Sequence, residues 1–190
     1  MNKLSGVLMN NYCNHLNLPV NVSIDLLSYK KGTRNHVSRV PTNVMGSELG
    51  EILLKLNIEI EWVEIFYLGK DRDHSIHCDG HELDDKAKLN YVVGGKDSVM
   101  TWYEHKSEDK IEKRISPANT VYLGISTEDV IEVYSQPMQG LYLTQVGQFH
   151  NVWNKDDDRY CLSAYLADTK TKKRLHFKQL QILLKDYIDD

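Results

Sequence analysis

The sequence has few of the features that mark membrane, secreted, fibrous or disordered proteins. No stretch reaches the roughly 20 consecutive apolar residues that a transmembrane helix needs. The first residues also lack the apolar run of a secretion signal. Only 4 prolines and 11 glycines occur among 190 residues, which argues against a fibrous or disordered chain. We therefore expect a globular protein with a substantial buried core and no membrane partner.

Cysteine and an excess of positive charge are also scarce. The three cysteines, Cys13, Cys78 and Cys161, are far apart and odd in number. This pattern predicts reduced thiols in a cytoplasmic protein, and neither a disulfide framework nor a structural zinc site. Lys and Arg number 23 against 27 Asp and Glu, a net charge of -4. The charge balance therefore does not point to nucleic acid as a partner.

Hydrophobic periodicity predicts a mainly β protein with a helix near each end. Apolar residues recur at helical spacing over 45–56, with Thr42 or Asn43 as the cap, and again over 177–188. A long strand is predicted at 58–68. Shorter strands are predicted at 75–79, 87–93, 99–105, 120–124, 130–135, 141–149 and 160–166.

This arrangement of strands indicates a sandwich or a barrel. The chain contains no internal repeat, low-complexity segment or Pro-, Gly- or Ser-rich linker that would divide it. We therefore predict a single domain over residues 1–190, with its β core at about 58–166 and an α-helix flanking each end of that core.

One histidine and one carboxylate occur at a spacing that suits a metal site. Side chains at i and i+2 of a strand face the same side, so His77 and Asp79 would point together into a barrel, with Cys78 facing away. They would supply two ligands of a 2-His-1-carboxylate site, which leaves adjacent metal positions open. The third ligand must come from a distant strand. The alternative is a solvated acidic loop, because acidic residues surround this pair.

A second pattern lies near the end of the predicted β core. A predicted strand leads to His150, a polar turn over 155–158 follows, and Arg159 opens the next strand. His150 stands 71 positions after Asp79, and Arg159 stands 9 positions after His150. The alternatives are a structural histidine and an arginine that pairs with the acidic residues of the turn, a common and weak surface interaction.

With these motifs, residues of about 58–166 resemble the 2-oxoglutarate- and Fe(II)-dependent oxygenases. Members of that superfamily carry His-x-Asp early in a double-stranded β-helix and a second histidine 50 or more residues later. A basic residue about ten positions after that histidine binds the far carboxylate of 2-oxoglutarate. The segments 87–93 and 100–103 also look like the strands that follow the His-x-Asp in small bacterial and phage members.

The resemblance implies a jelly-roll, cupin-like core in which His77, Asp79 and His150 hold Fe(II) and Arg159 anchors 2-oxoglutarate as co-substrate. Ser163 shares strand parity with Arg159, so its hydroxyl could join the same carboxylate. Asn90 is predicted to have a polar role in the pocket, because asparagine is disfavoured inside strands.

The implied reaction is the hydroxylation of an unactivated C–H bond of a peptide residue or small molecule by O₂ and 2-oxoglutarate, with succinate and CO₂ as co-products. Two other readings remain open at this point. One is a cupin-type metalloenzyme that does not use 2-oxoglutarate, in which Arg159 has no special role. The other is a non-enzymatic jelly-roll binding protein. The sequence leaves open the substrate, the oligomeric state and the choice among Fe(II), Mn(II) and Co(II).

Overall fold

The computed structural model describes residues 9–30, 36–115 and 121–189. Within these ranges the chain forms thirteen strands and two α-helices. In chain order they are β1 (Cys13–His15), β2 (His36–Val40), α1 (Ser47–Lys55), β3 (Ile58–Leu68), β4 (Arg72–Asp73), β5 (His77–Cys78), β6 (Ala87–Gly94), β7 (Val99–His105), β8 (Glu112–Ile115), β9 (Val121–Gly124), β10 (Val130–Pro137), β11 (Gly140–Gln145), β12 (Phe149–Asn154), β13 (Arg159–Asp168) and α2 (Phe177–Leu183).

The strands form two antiparallel sheets. The first has the order β1-β11-β6-β13-β3-β2, and the second has the order β10-β7-β12-β5-β9-β8, with β4 paired to β12. The chain passes from one sheet to the other in the runs β5-β6-β7 and β10-β11-β12-β13. Two antiparallel sheets wound in this alternating way form a double-stranded β-helix, or jelly roll. The predicted fold class is confirmed.

Side-chain parity along β13 separates the two faces of the first sheet. Leu162 and Ala164 are fully buried in a core that includes Leu49 and Leu53 of α1 and Leu180 of α2. This core covers the outer face of the sheet. The intervening β13 residues point the other way, into the space between the two sheets, because alternate strand residues face opposite sides. The inner face can therefore carry polar side chains without disturbing the main core.

The observed elements match the predicted ones most closely where strands are long and central. The strands β3 and β7 have the predicted bounds, and β6, β10 and β13 differ from prediction by a few residues at their ends. The predicted strand at 75–79 contains only the short β5, and residue 120 of another predicted strand lies outside the described residues. The strands β1, β2, β4 and β8 were not predicted, nor was β12 beyond its first residue.

Three predicted boundaries are wrong. The predicted strand at 141–149 corresponds to β11, which ends at Gln145, and reaches only the first residue of β12, because the chain crosses between sheets at 146–148. The first helix is capped by Gly46, since a backbone hydrogen bond from Val44 to Pro41 already closes a turn over the predicted cap residues Thr42 and Asn43. The α-helix predicted over 177–188 ends at Leu183, and a 3-10 turn follows.

Two further observations concern the described residues. No helix in these ranges combines the length and apolar character needed to cross a membrane. The thiols of Cys13, Cys78 and Cys161 are all free and buried.

Candidate metal centre

Three of the predicted site residues converge between the two sheets. His77 of β5 lies directly opposite His150 of β12 in the strand register, and their ring centroids are 4.5 Å apart. Asp79 follows β5, and its Oδ1 lies 3.5 Å from Nε2 of His77. The ligand atoms that the three side chains offer all lie within 4.8 Å of one another. These separations suit a single ion with ligand bonds of about 2 Å.

The two histidines are oriented by the same local device. Nδ1 of His77 lies 2.7 Å from the carbonyl oxygen of Ser75, and Nδ1 of His150 lies 2.8 Å from the carbonyl oxygen of Gln148. A carbonyl can only accept, so each Nδ1 must carry the proton and donate it. Each Nε2 then keeps its lone pair for a metal. Such hydrogen bonds to the second ring nitrogen are typical of metal-binding histidines.

The electrostatics of the group favour the protonation states that bind metals. Burial, together with the neighbouring His77, lowers the pKa of His150 to about 4. Burial alone would raise the pKa of Asp79, but the Lys88 ammonium and the two imidazoles outweigh it and hold that pKa well below its usual range. At neutral pH, His150 is therefore uncharged and Asp79 is ionised, as a metal ion requires of its ligands.

All six residues singled out from the sequence line one cavity of about 60 Å³ between the sheets. Its wall consists of Phe66, His74, His77, Asp79, Lys88, Asn90, Met100, Val146, His150, Val152, Arg159, Cys161 and Ser163. The two pairs that strand parity put on one face, His77 with Asp79 and Arg159 with Ser163, all lie on this wall. Their roles as metal ligands and co-substrate contacts remain predictions.

Arg159 is a buried cation with no carboxylate beside it. Its side chain is on the cavity wall, the residue is 3% exposed, and its Nε donates to Oγ of Ser98 at 3.2 Å. No acidic residue in the described ranges forms an ion pair with it. Asp158 of the preceding turn pairs with Lys30 and accepts from the Tyr67 hydroxyl instead. Because an unpaired buried charge is costly, an anion bound in the cavity would stabilise this guanidinium.

Ser163 and Asn90 lie opposite each other on β13 and β6. The Ser163 hydroxyl donates to Oδ1 of Asn90 at 2.6 Å. This bond fixes the orientation of the amide. It leaves the amide nitrogen of Asn90 available to donate to a molecule in the cavity, because among the described residues no acceptor is bonded to it.

Sequence reasoning missed two other ionisable residues of the cavity wall. Lys88 is buried, and its Nζ lies 2.8 Å from Oδ2 of Asp79. His74 has its ring centroid 6.2 Å from that of His77, and burial and that neighbour lower its pKa to about 3. Lys88 had a usable signal, because it shares strand parity with Asn90. His74 had none, since it lies outside any predicted strand.

The comparisons with known proteins find only distant similarity. No family model matches the sequence, and no curated protein matches it. Among solved structures, the chain is similar to E. coli ycfD, with 11% identity and a TM-score of 0.39 over 74% of this chain and 36% of that one. It therefore spans only about a third of that protein.

Two cupin-related structures are similarly distant. An oxalate oxidase in complex with glycolate has 10% identity and a TM-score of 0.30, over 78% of this chain and 57% of that one. A cupin 2 domain-containing protein from Halorhodospira halophila has 7% identity and a TM-score of 0.31, over 92% and 89%. The fold assignment rests on the strand pairing described above. The chain is a jelly-roll protein whose interior contains a possible His-Asp-His metal site.

Proposed function

We propose that this protein is a 2-oxoglutarate- and Fe(II)-dependent dioxygenase that hydroxylates an unactivated C–H bond of a peptide residue or small molecule. In this proposal His77, Asp79 and His150 hold the iron. Two imidazoles and one carboxylate with open positions form the donor set typical of non-haem Fe(II) oxygenases. When bound, the metal supplies the centre at which O₂ and the keto acid react, with succinate and CO₂ as co-products.

The observation that carries the co-substrate assignment is the buried guanidinium of Arg159 in the same cavity as the His-Asp-His group. A guanidinium can donate two parallel hydrogen bonds to a carboxylate. Nε of Arg159 donates to Ser98 and the Cys161 thiol is a second polar neighbour, but no carboxylate of the described residues pairs with the guanidinium, so a carboxylate ligand would have no acidic competitor there. In the proposal Arg159 binds the far carboxylate of 2-oxoglutarate, and the keto-acid end binds the metal. Asn90 and Ser163 lie on the same cavity wall and contact the co-substrate there.

The fixed charges of the cavity support a dianionic co-substrate. Lys88 and Arg159 together with Asp79 and Glu64 carry no net charge, although both carboxylates lie beside Lys88 and neither pairs with Arg159. Glu64 lies 3.5 Å from the Lys88 ammonium, just outside the cavity wall. A divalent metal ion would add two positive charges to this neutral set. A bound 2-oxoglutarate dianion would neutralise them, which matters because uncompensated charge is costly in a buried site.

Anaerobic titration of the protein with Fe(II) and 2-oxoglutarate tests the proposal. A weak visible charge-transfer band forms only when the keto acid chelates the iron, so wild type should give the band and His150→Ala should not. Arg159→Gln should need about 10- to 100-fold more 2-oxoglutarate, the size expected for losing a charge-assisted pair. The matched control is Arg72→Gln, because Arg72 is an exposed residue outside the cavity.

The cupin-type alternative would use the same His-Asp-His group without a keto acid. A metalloenzyme that does not use 2-oxoglutarate would bind the metal but give no charge-transfer band, and Arg159→Gln would change nothing. If wild type bound no metal, both enzyme proposals would fail and a non-enzymatic jelly-roll binding protein would remain.

A further inference from the structure

A buried lysine lies against the carboxylate of the candidate metal site. The side chain of Lys88 is only 5% exposed, and its Nζ is 2.8 Å from Oδ2 of Asp79. Lysine is rarely buried so completely unless it is paired. Strand β6 holds Lys88 on the inner face of the first sheet, so this contact joins the two sheets across the cavity.

The two oxygens of Asp79 have different neighbours. Oδ2 faces the Lys88 ammonium at 2.8 Å, whereas Oδ1 faces Nε2 of His77 at 3.5 Å. The carboxylate is therefore oriented with Oδ2 toward the lysine and Oδ1 toward the ligand atom of His77. Oδ1 is thus the oxygen that faces the candidate metal site.

The ammonium of Lys88 is itself held in place from several sides. Oε2 of Glu64 lies 3.5 Å from Nζ, and the ring centroids of Tyr165 and Phe66 lie 4.4 Å and 5.5 Å from it. Aromatic faces attract cations, and the attraction is stronger in a desolvated site. These neighbours fix the cation on the Oδ2 side of Asp79.

We propose that Lys88 is a positioning residue. Its ammonium forms an ion pair with Oδ2 of Asp79, so that this carboxylate binds the metal through Oδ1 alone. Carboxylates can bind a metal through one oxygen or both. A second oxygen would fill a coordination position that the keto-acid chelate and O₂ need. The inference rests on the proposed function, because it explains how the metal keeps room for a bidentate co-substrate.

The test uses the Mn(II)-loaded protein without any co-substrate and counts the waters bound to the metal by water-proton relaxation. Lys88→Met should release the carboxylate to bind through both oxygens, so it should carry one bound water fewer than wild type. It should bind Mn(II) at least as tightly, because a nearby cation has been removed. In a second titration it should bind 2-oxoglutarate about 10- to 100-fold more weakly.

Three further variants keep the test interpretable. Lys86→Met is the matched control, because Lys86 pairs with Asp84 outside the cavity wall and should leave the water count unchanged. Lys88→Arg keeps the charge, so it separates the loss of a cation from the loss of the contact with Asp79. Should Lys88→Met not fold, the double variant Lys88→Met with Glu64→Gln removes the second carboxylate left without its cation.

The outcomes are distinct. An unchanged water count in folded Lys88→Met, or in the double variant if only that one folds, would overturn the inference and leave Lys88 as a structural ion pair. Weaker Mn(II) binding with the full set of waters in the same variant would do so too. If wild type binds Mn(II) but no 2-oxoglutarate, the proposed function fails. In that case, loss of a bound water in Lys88→Met would still support the positioning of Asp79.

Discussion

At the scale of single residues, the cavity depends on ionisable groups that burial and neighbours hold in one charge state. His150 and His74 are uncharged at neutral pH, because burial lowers their pKa values to about 4 and about 3. Asp79 stays ionised because the Lys88 ammonium and the neighbouring imidazoles outweigh the effect of its burial. The pKa values of these groups therefore differ between the folded and the unfolded chain, so the free energy of unfolding depends on pH.

We expect the metal-free protein to lose stability as the pH falls from about 6.5 to about 4. The unfolded chain takes up protons on these histidines near pH 6.5, whereas folded His150 takes up its proton only near pH 4. Protons therefore favour unfolding in this window. The pKa difference of His150 alone corresponds to about 3 kcal/mol once the pH reaches 4.

Urea unfolding in the presence of a chelator, repeated across this pH range, measures the effect. His74→Asn should make the dependence shallower, because it removes a half-buried histidine whose pKa is lowered to about 3, whereas His81→Asn at an exposed position should not. A free energy of unfolding that stays constant between pH 7 and pH 4 would contradict the assigned charge states.

Much of the residue-level site could be predicted because alternation along a strand needs no knowledge of the partner strands. Parity placed His77 with Asp79, and Arg159 with Ser163, and the structure puts all four on one cavity wall. Lys88 shares the parity of Asn90, but parity alone does not indicate its ion pairs. Lysine in a strand normally indicates a solvated position, and only the fold brings the Asp79 and Glu64 carboxylates to it.

At the scale of elements, the crossing between β11 and β12 aligns the two halves of the site. The carbonyl of Val146 accepts a hydrogen bond from the Asp79 amide at 2.9 Å. The carbonyl of Gly147 accepts bonds from the Asp84 amide at 3.0 Å and from the Cys78 thiol at 3.3 Å. These bonds join the crossing to β5 and to the segment that follows it, so they fix the position of Asp79 relative to His150.

Gly147→Ala should destabilise the protein and weaken metal binding. A Cβ at this position would lie 2.2 Å from Oδ1 of Asp84 and 2.5 Å from its carbonyl oxygen, so the backbone of the crossing or the loop must move. Overpacking of this kind typically costs about 1–3 kcal/mol. The displacement would reach Asp79 through its bond to Val146.

Gly50→Ala is the matched control, because Gly50 lies in α1 and a Cβ there meets nothing within 4 Å. It should stabilise the protein by about 0.5–1 kcal/mol, since alanine favours helix more than glycine does. Thermal unfolding and Mn(II) titration of both variants measure the contrast. Equal effects of the two substitutions would show that the crossing does not position the site.

The element boundaries that sequence reasoning missed have identifiable physical causes. The segment 141–149 mixes apolar and polar residues and is almost wholly buried, so its pattern gives no local signal of a change of sheet. The strand β1 is only three residues long and is stabilised by pairing with β11 at the sheet edge. Its own sequence, Cys13–His15, contains no alternation long enough to predict a strand.

At the scale of the whole molecule, the jelly roll divides its interior into separate environments. The outer face of the first sheet is covered by helices and is apolar, whereas the space between the sheets contains the metal-binding group and the buried cations. The fold class could be predicted from the number and spacing of strands. The winding between sheets could not, because it depends on pairings between residues far apart in the chain, such as His77 with His150.

The most direct test of the central claim is a crystal structure of the protein with Mn(II) and 2-oxoglutarate, in which anomalous scattering locates the metal. The account predicts one ion bound by Nε2 of His77, Oδ1 of Asp79 and Nε2 of His150, with the keto-acid end of 2-oxoglutarate on the metal and its far carboxylate against Arg159. An ion held elsewhere, or a 2-oxoglutarate molecule that does not contact both the metal and Arg159, would contradict it.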